Sequence, residues 1–242
     1  MWPLSRPSVR YNKRMNKLIF LDTETTGNDL KTDRLSQVCY KVEGEIRMGY
    51  FKPPIPMSVK AMSVTHITNK MLEDKPPFEG SDFQKDLRAM LKDNILVAHN
   101  ALFDIAMLRN DGVEVPRFID TLRIARHLDP ECKIPEYNLQ FLRYYLGLEI
   151  DAPAHDAAGD VKVLEAVFER MRAKFNTVEE MVEISSRPTL FKIMMFGKHK
   201  GKTMEEVTKI DSAYLDWLLA QKMQNEEGEE DWIFTLKHYL GR

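Results

Sequence analysis

Leu18-Ile19-Phe20-Leu21-Asp22-Thr23-Glu24-Thr25-Thr26-Gly27 is the stretch from which the rest of the chain is read. Lys17 to Thr23 reads as a buried strand, an apolar run that ends in acids. Residues i and i+2 of a strand share a face, so Asp22 and Glu24 hold two anions close together at its carboxyl end. Like charges that close are costly unless a cation bridges them. A strand running into a solvated turn is the ordinary reading of an isolated Asp-x-Glu. Thr25, Thr26 and Gly27 sharpen the picture, because a Thr/Gly turn beside acids offers backbone donors to a phosphate or ribose.

Two further elements repeat this placement of acids at the ends of elements. Ile95–His99 is a short strand, and Asn100 is expected to cap the helix that follows, which puts Asp104 in its first turn. An acid there is favoured electrostatically whatever its function. His155-Asp156-Ala157-Ala158-Gly159-Asp160 is the third element. On one ideal helix His155 and Asp160 would point well apart. They converge only if His155 lies on the preceding loop, where Pro153 fits, with Asp160 inside the helix. Between these elements, Arg34–Val42 and Glu45–Lys52 read as strands joined at Glu43-Gly44, and Ser58–Asp74 as short helices. Ser81–Asp93, Asp120–His127, Asn138–Leu146 and Val161–Phe175 read as longer helices. Strands leading into helices indicate an α/β domain with a mixed sheet flanked by helices.

Taken together, the carboxylates Asp22, Glu24, Asp104 and Asp160 surround one plausible site. Hard oxygen donors in that number suit Mg²⁺ or Mn²⁺ rather than zinc. Two such ions can orient a water, bind a scissile phosphate and stabilise the leaving 3′ oxygen. His155 could take the proton from that water at neutral pH.

These segments resemble the three motifs of the DEDD exonuclease superfamily, and the gap between His155 and Asp160 places them in its histidine branch. The resemblance implies a ribonuclease H-like fold, with Asp22, Glu24, Asp104 and Asp160 as ligands of two Mg²⁺ or Mn²⁺ and His155 as general base. It implies that Thr26, Gly27, Asn100 and Phe103 line the pocket for the terminal nucleotide, with Thr25 beside them. Met62 would form an apolar wall under the base, unless it is simply a buried residue of a short helix. One departure stands out: where the family usually has His, this chain has Thr65, which the resemblance places among the nucleotide contacts, and His66 follows one place later. Leu30 is the only apolar residue after the first motif able to wedge between terminal bases. Asp120-Thr121, followed by Arg123 and Arg126, resembles a recurrent, structural family segment.

Beyond about Ala173 the material changes. Asn176, Thr177, Glu179 and Glu180 suggest a linker over 176–187, following an exonuclease domain over 17–175 and preceding a small α+β module over 188–242. In that module Ser186–Leu190, Phe196–Lys202, Asp211–Leu218 and Thr235–Leu240 resemble the tail found in the exodeoxyribonuclease X family. The resemblance thus covers about residues 17–240. It implies 3′-to-5′ hydrolysis of DNA from a free end, giving nucleoside 5′-monophosphates. Single strands, frayed duplexes and mismatched ends are the implied substrates, in repair rather than replication. An RNA-trimming exonuclease, a polymerase proofreading subunit and a non-catalytic binding module are the rival readings.

Charge is unevenly distributed. The 242 residues carry 35 basic and 37 acidic side chains, a formal net charge of −2, which argues against a polyanion binder working by bulk charge. Locally, Arg187, Lys192, Lys198, Lys200 and Lys202 fall in a stretch without acids, and Lys198, Lys200 and Lys202 surround one Gly-flanked turn. That turn either contacts DNA phosphates or is merely solvated. Residues 1–16 form a basic leader, expected to be disordered, with Met15 the expected native start. With 43% hydrophobic and 30% charged residues, the chain is excluded from the disordered, collagenous and disulfide-stapled classes. No apolar run suggests a bilayer span. Cys39 and Cys132 have no metal-ligand spacing and fit a reducing, cytoplasmic location.

Overall fold

A computed structural model describes residues 16–150, 157–224, 226 and 228–242. His155 lies outside the described residues, as does the basic leader through Met15. Packing divides the chain into two compact units. The first runs through Ala125 and includes Glu136–Ser186; the second comprises Arg126–Pro135 and Arg187–Arg242.

The first unit is built on a five-stranded mixed sheet. Strands β1 (Leu18–Thr25), β2 (Leu35–Val42) and β3 (Glu45–Tyr50) form an antiparallel meander. Its hairpin turns at Glu43 and Gly44, both at positive φ (50° and 90°), the combination that matches the twist of the flanking strands. Three short helices follow: α1 (Val59–Thr65), α2 (Asn69–Leu72) and α3 (Asp82–Leu91). Each is capped by a hydroxyl, from Ser58, Thr68 and Ser81 respectively, that accepts a backbone N–H of the first turn. Strand β4 (Ile95–Ala98) then pairs parallel to β1, helix α4 (Ala101–Asn110) follows, and β5 (Phe118–Asp120) pairs parallel to β4. The spatial order is β3-β2-β1-β4-β5. The remaining helices of the unit are α5 (Thr121–Leu128), which crosses into the second unit, α6 (Leu139–Tyr145), α7 (Ala157–Arg172) and α8 (Val178–Ser185).

Strand alternation sorts the two faces of the sheet. Ile19 and Leu21 join Val38, Tyr40 and Leu96 in a buried cluster with Leu87 and Leu91 of α3 and Ile105 and Leu108 of α4. Phe20 points the other way, edge-on to Phe168 of α7 at 5.4 Å between centroids. Val161, Leu164 and Phe168 of α7 are spaced to form one buried helical face. Asp22 and Glu24 share the parity of Phe20, so the pleat sends them to the face that α7 covers.

Three expectations from sequence are corrected. The polar stretch at 176–187 is not a linker: Thr177 accepts the Glu180 N–H at 3.2 Å and starts α8. Ser185 of that helix accepts the Asp120 N–H on its hydroxyl (2.9 Å) and the Arg123 guanidinium on its carbonyl (2.6 Å). The acids that suggested a spacer are the first turn of a capped helix.

The second unit is also not a simple carboxyl-terminal segment, because residues 126–135 belong to it. Arg126 stacks over Phe191 at 4.7 Å and lies 3.5 Å from Asp231, and Lys192 donates to the Pro130 carbonyl at 2.7 Å. Helices α9 (Met204–Met223) and α10 (Glu230–Tyr239) pack around Met194, Met204, Leu215, Leu218, Trp232 and Leu236. Among the described residues its β structure is a single bridge, Ile193 with Thr203, so the unit is helical rather than α+β.

Candidate active site

Three backbone features aim the carboxylates. The first is the carboxyl end of β1, where Asp22 lies opposite Cys39 and Glu24 opposite Gln37, with the register slipping just beyond Glu24. The second is the junction of β4 and α4. Asn100 adopts a left-handed conformation (φ 64°, ψ 46°) there, and its side chain makes no capping bond, contrary to expectation. Asp120 does that work from the neighbouring strand: its Oδ1 accepts the N–H of Asn100 at 3.0 Å and of Leu122 at 2.9 Å. The third is the first turn of α7, which carries Asp160.

Two of the carboxylates, Asp104 and Asp160, are oriented by uncharged neighbours. Thr23 donates its hydroxyl to Asp104 Oδ1 at 2.7 Å, and Gln140 of α6 donates to Asp160 Oδ1 at 2.5 Å. His99 is held between the Thr121 hydroxyl (2.9 Å from Nδ1) and the Tyr137 carbonyl (2.7 Å from Nε2). It therefore ties the start of α4 to α5 and to the segment before α6.

The electrostatics show that the four acids sense one another. Asp22 is pushed well above the usual carboxylate range, first by burial and then by the charges of Asp104, Glu24 and Asp160. Glu24 is pushed up to about 7 by burial and by Asp160. Asp104 also rises to about 7; burial dominates, the Thr23 hydrogen bond opposes it, and the charges of Asp120 and Glu24 add to it. Among the described residues, no three Asp, Glu, His or Cys side chains already form a metal-holding group. The donor set nonetheless fits hard divalent cations: oxygen ligands only, enclosed, from three elements, each raising its neighbours' proton affinity. A cation of that kind is what would let all four ionise together.

The expected nucleotide contacts fare unevenly. Thr26 is committed to its own loop: its hydroxyl donates to Asp33 Oδ1 at 2.6 Å and accepts the Arg34 N–H at 3.1 Å. Thr25 donates to the Gly27 carbonyl at 2.5 Å. A Cβ at Gly27 would collide with the Asp33 carboxylate, so glycine is required there by the turn itself. The Thr26 carbonyl accepts the Ser58 N–H at 3.0 Å, tying this turn to α1. Met62 on α1 is half-buried against the cluster of Met57, Ala61, Ile67 and Leu72. Thr65 accepts the Ile67 N–H at 3.1 Å, and His66 follows in the left-handed region (φ 58°) as the exposed end of α1. Phe103 and Leu30 are both half-buried against the core beneath the sheet. Leu30 is thus partly engaged in packing, while its carbonyl accepts the Asn110 amide at 2.7 Å. Lys198, Lys200 and Lys202 lie in the second unit, Lys198 within 2.5 Å of Asp211.

Sequence reasoning missed Gln140, Thr23 and the capping role of Asp120. Thr23 could have been found, since it is the residue between the paired acids. Gln140 has no local signal.

The pattern of the RNase T exonuclease family matches residues 19–168, and that of the exodeoxyribonuclease X-like C-terminal region matches residues 194–222. The chain belongs to the RNase T/DEDD exonuclease family. It is 31% identical over 239 residues to exodeoxyribonuclease 10 of Escherichia coli K12, covering 92% of this chain and 98% of that protein. DNA polymerase III subunit epsilon of Treponema pallidum is 33% identical over 165 residues, 63% of this chain and 74% of that one. The solved structure of exonuclease X in complex with 5′-overhanging duplex DNA is 26% identical with a TM-score of 0.57, covering 70% of this chain and 99% of that chain. The protein is accordingly an exonuclease, a phosphodiester hydrolase. No helix among its described residues is long and apolar enough to cross a membrane.

Proposed function

We propose that this exonuclease degrades DNA from a free 3′ end and releases nucleoside 5′-monophosphates, acting on single strands and frayed or mismatched duplex ends in repair. The observation that carries the reading is the gathering of acids from three separate motifs, in which the charges of Asp104, Glu24 and Asp160 all bear on Asp22 at the end of β1. Like charges gathered in this way, Asp104 buried and Asp22, Glu24 and Asp160 half-buried, serve no packing purpose. Near-complete coverage of the Escherichia coli exodeoxyribonuclease favours DNA.

Asp22, Glu24, Asp104 and Asp160 would hold two Mg²⁺ or Mn²⁺. Ions held there supply positive charge opposite the scissile phosphate and the leaving 3′ oxygen. The chain's own residues do the rest. Thr23 and Gln140 fix the acceptor faces of Asp104 and Asp160. Met62 and Phe103 offer apolar walls to the terminal nucleoside. Asn100 offers its side chain, which makes no capping bond, and the Thr25–Gly27 turn contributes backbone groups, since both threonine hydroxyls are engaged within the turn. His155, assigned by family resemblance, takes the proton from the attacking water.

Incubating the purified chain and Mg²⁺ with a 3′-labelled oligodeoxynucleotide tests the reading, with the RNA of the same sequence run in parallel. Release of labelled 5′-mononucleotide from DNA is expected, with His155→Ala slower by roughly 10²–10⁴-fold. No release under conditions where Mg²⁺ binding is demonstrated would overturn it. The match to polymerase subunit epsilon favours a second reading, a proofreading subunit. Full activity on free DNA without a polymerase argues for the first.

A further inference from the structure

The acids of the first unit leave an exposed feature of the second without a role. Phe196–Lys202 is a tight turn closed by backbone bonds from Gly201 to Met194 (2.8 Å) and from Met194 to Lys202 (2.9 Å). Its first glycine sits at φ 71°, so close to the Tyr214 hydroxyl that a Cβ would overlap it. Across from the turn, helix α9 breaks at Asp211 (φ −159°, ψ 59°). The Asp211 carboxylate binds His199 Nε2 at 2.8 Å and Lys198 Nζ at 2.5 Å, and accepts the Tyr214 N–H at 3.3 Å. The kink and the turn are therefore locked together through one acid.

Locking them makes a row. Lys198 Nζ stands 4.9 Å over the Tyr214 ring, and the Tyr214 and Trp217 centroids are 5.6 Å apart with planes 31° from parallel. Trp217 is 55% exposed, whereas Trp232 of the same unit is 9% exposed and packs on Phe191. An indole left in water beside a tyrosine of similar tilt is ready to stack on a flat partner. The surroundings select the partner's charge. Lys198, Lys200 and Lys202 are exposed on a turn without acids, Asp211 is engaged by Lys198 and His199, and Asp216 is ion-paired with Arg242 at 2.6 Å. Glu206, next along, is turned back onto the Thr203 N–H at 2.8 Å in a capping box. Aromatic faces edged by lysines are the means by which proteins hold unpaired strands without regard to sequence.

We propose that Tyr214, Trp217 and the lysines of the Phe196–Lys202 turn form a second nucleic-acid contact, a stacking platform for unpaired strand. This borrows from the exonuclease reading only the class of ligand, and Asp211 acts as a positioning residue for the platform.

Anisotropy of a labelled oligodeoxythymidylate, titrated with the full chain in EDTA, tests the proposal. Trp217→Ala is expected to weaken binding roughly five- to hundred-fold, with Trp217→Phe recovering most of the loss. Replacing Lys200 and Lys202 together by Gln is expected to flatten the slope of log affinity against log salt by about 0.7 for each lysine. Unchanged affinity for Trp217→Ala and an unchanged salt slope would overturn the platform. So would a change of oligomeric state with Trp217→Ala at constant oligonucleotide affinity, which would make the face a protein interface. Hydrolysis with Mg²⁺ is scored separately: its absence would sink the exonuclease reading alone, because the platform is read by binding.

Discussion

Aspartate is used in opposite ways in the two units. In the first, Asp22 and Asp104 are gathered with Glu24 and Asp160, and burial and repulsion raise their proton affinity. In the second, Asp211 sits between Lys198 and His199, whose hydrogen bonds hold its carboxyl down to about 2. Asp211 has cationic and N–H partners and supports its surroundings. In the first unit the neutral donors Thr23 and Gln140 aim Asp104 and Asp160 without compensating their charge. The contrast separates an acid that builds the fold from the acids we propose as cation ligands.

The contrast predicts its largest effect on turnover. Asp22→Ala should reduce hydrolysis of a 3′-labelled strand to background, since it removes an acid coupled to all three others. Measurable turnover near the unsubstituted rate would remove Asp22 from the ligand set. Asp120→Ala should act at one remove. It strips the acceptor from the N–H groups of Asn100 and Leu122 and so loosens the start of α4. A loss of roughly 10–100-fold is expected, as for residues that orient metal ligands. Asp120→Asn keeps an oxygen at Oδ1 and should stay within a few-fold; equal damage from both substitutions would mean that charge, not capping, is what Asp120 supplies.

Stability should follow the same division. Without divalent ions, the folded chain keeps protons on Glu24 and Asp104 up to about pH 7, whereas ordinary Glu and Asp values are 4.5 and 3.8. More protons are then bound folded than unfolded between about pH 4 and 7, so stability in EDTA should fall as pH rises through that window. Mg²⁺ should reverse the trend near pH 7, adding about 2.7 kcal/mol at a hundred times its Kd. Asp104→Asn keeps the acceptor for Thr23 and removes one charge, so it should raise Tm in EDTA and lose the gain from Mg²⁺. A melting series in which EDTA and Mg²⁺ give parallel pH profiles would refute the picture of mutually repelling acids.

What could be read from sequence divides along a physical line. Strand β1, the hairpin at Glu43-Gly44 and the hydroxyl-capped helices were legible because period, turn chemistry and caps are local signals. The grouping of Asp22, Glu24, Asp104 and Asp160 was legible because each stands at the end of an element. Asn100 misled because Asn before a helix suggests a side-chain cap, while the actual acceptor, Asp120, arrives through the pairing of Ala98 with Asp120 across two parallel strands. Residues 126–135 could not be assigned to the second unit in advance. Their place rests on Arg126 meeting Phe191 and Asp231, contacts with no local pattern. The supposed linker failed for the reverse reason: a Thr-led acidic stretch resembles both a spacer and a capped first turn, and only the burial of Val178, Met181 and Ser185 distinguishes them.

The smallest effect expected is at Asp211, and its sign is opposite to that of the first-unit acids. Because its folded value lies below the ordinary 3.8, its contribution to stability is present above about pH 4 and is lost as pH falls through about 2. Tryptophan fluorescence during acid titration should therefore show a transition in the second unit that Asp211→Asn largely removes. At pH 7 the same substitution should lower Tm by less than Asp120→Ala does, because the Lys198 ion pair and the His199 hydrogen bond it alters involve an Asp211 that is partly open to solvent. If Asp211→Asn instead raised Tm at pH 7, Asp211 would belong with the acids held in readiness, and the kink in α9 would need a cause other than its bonds to Lys198 and His199.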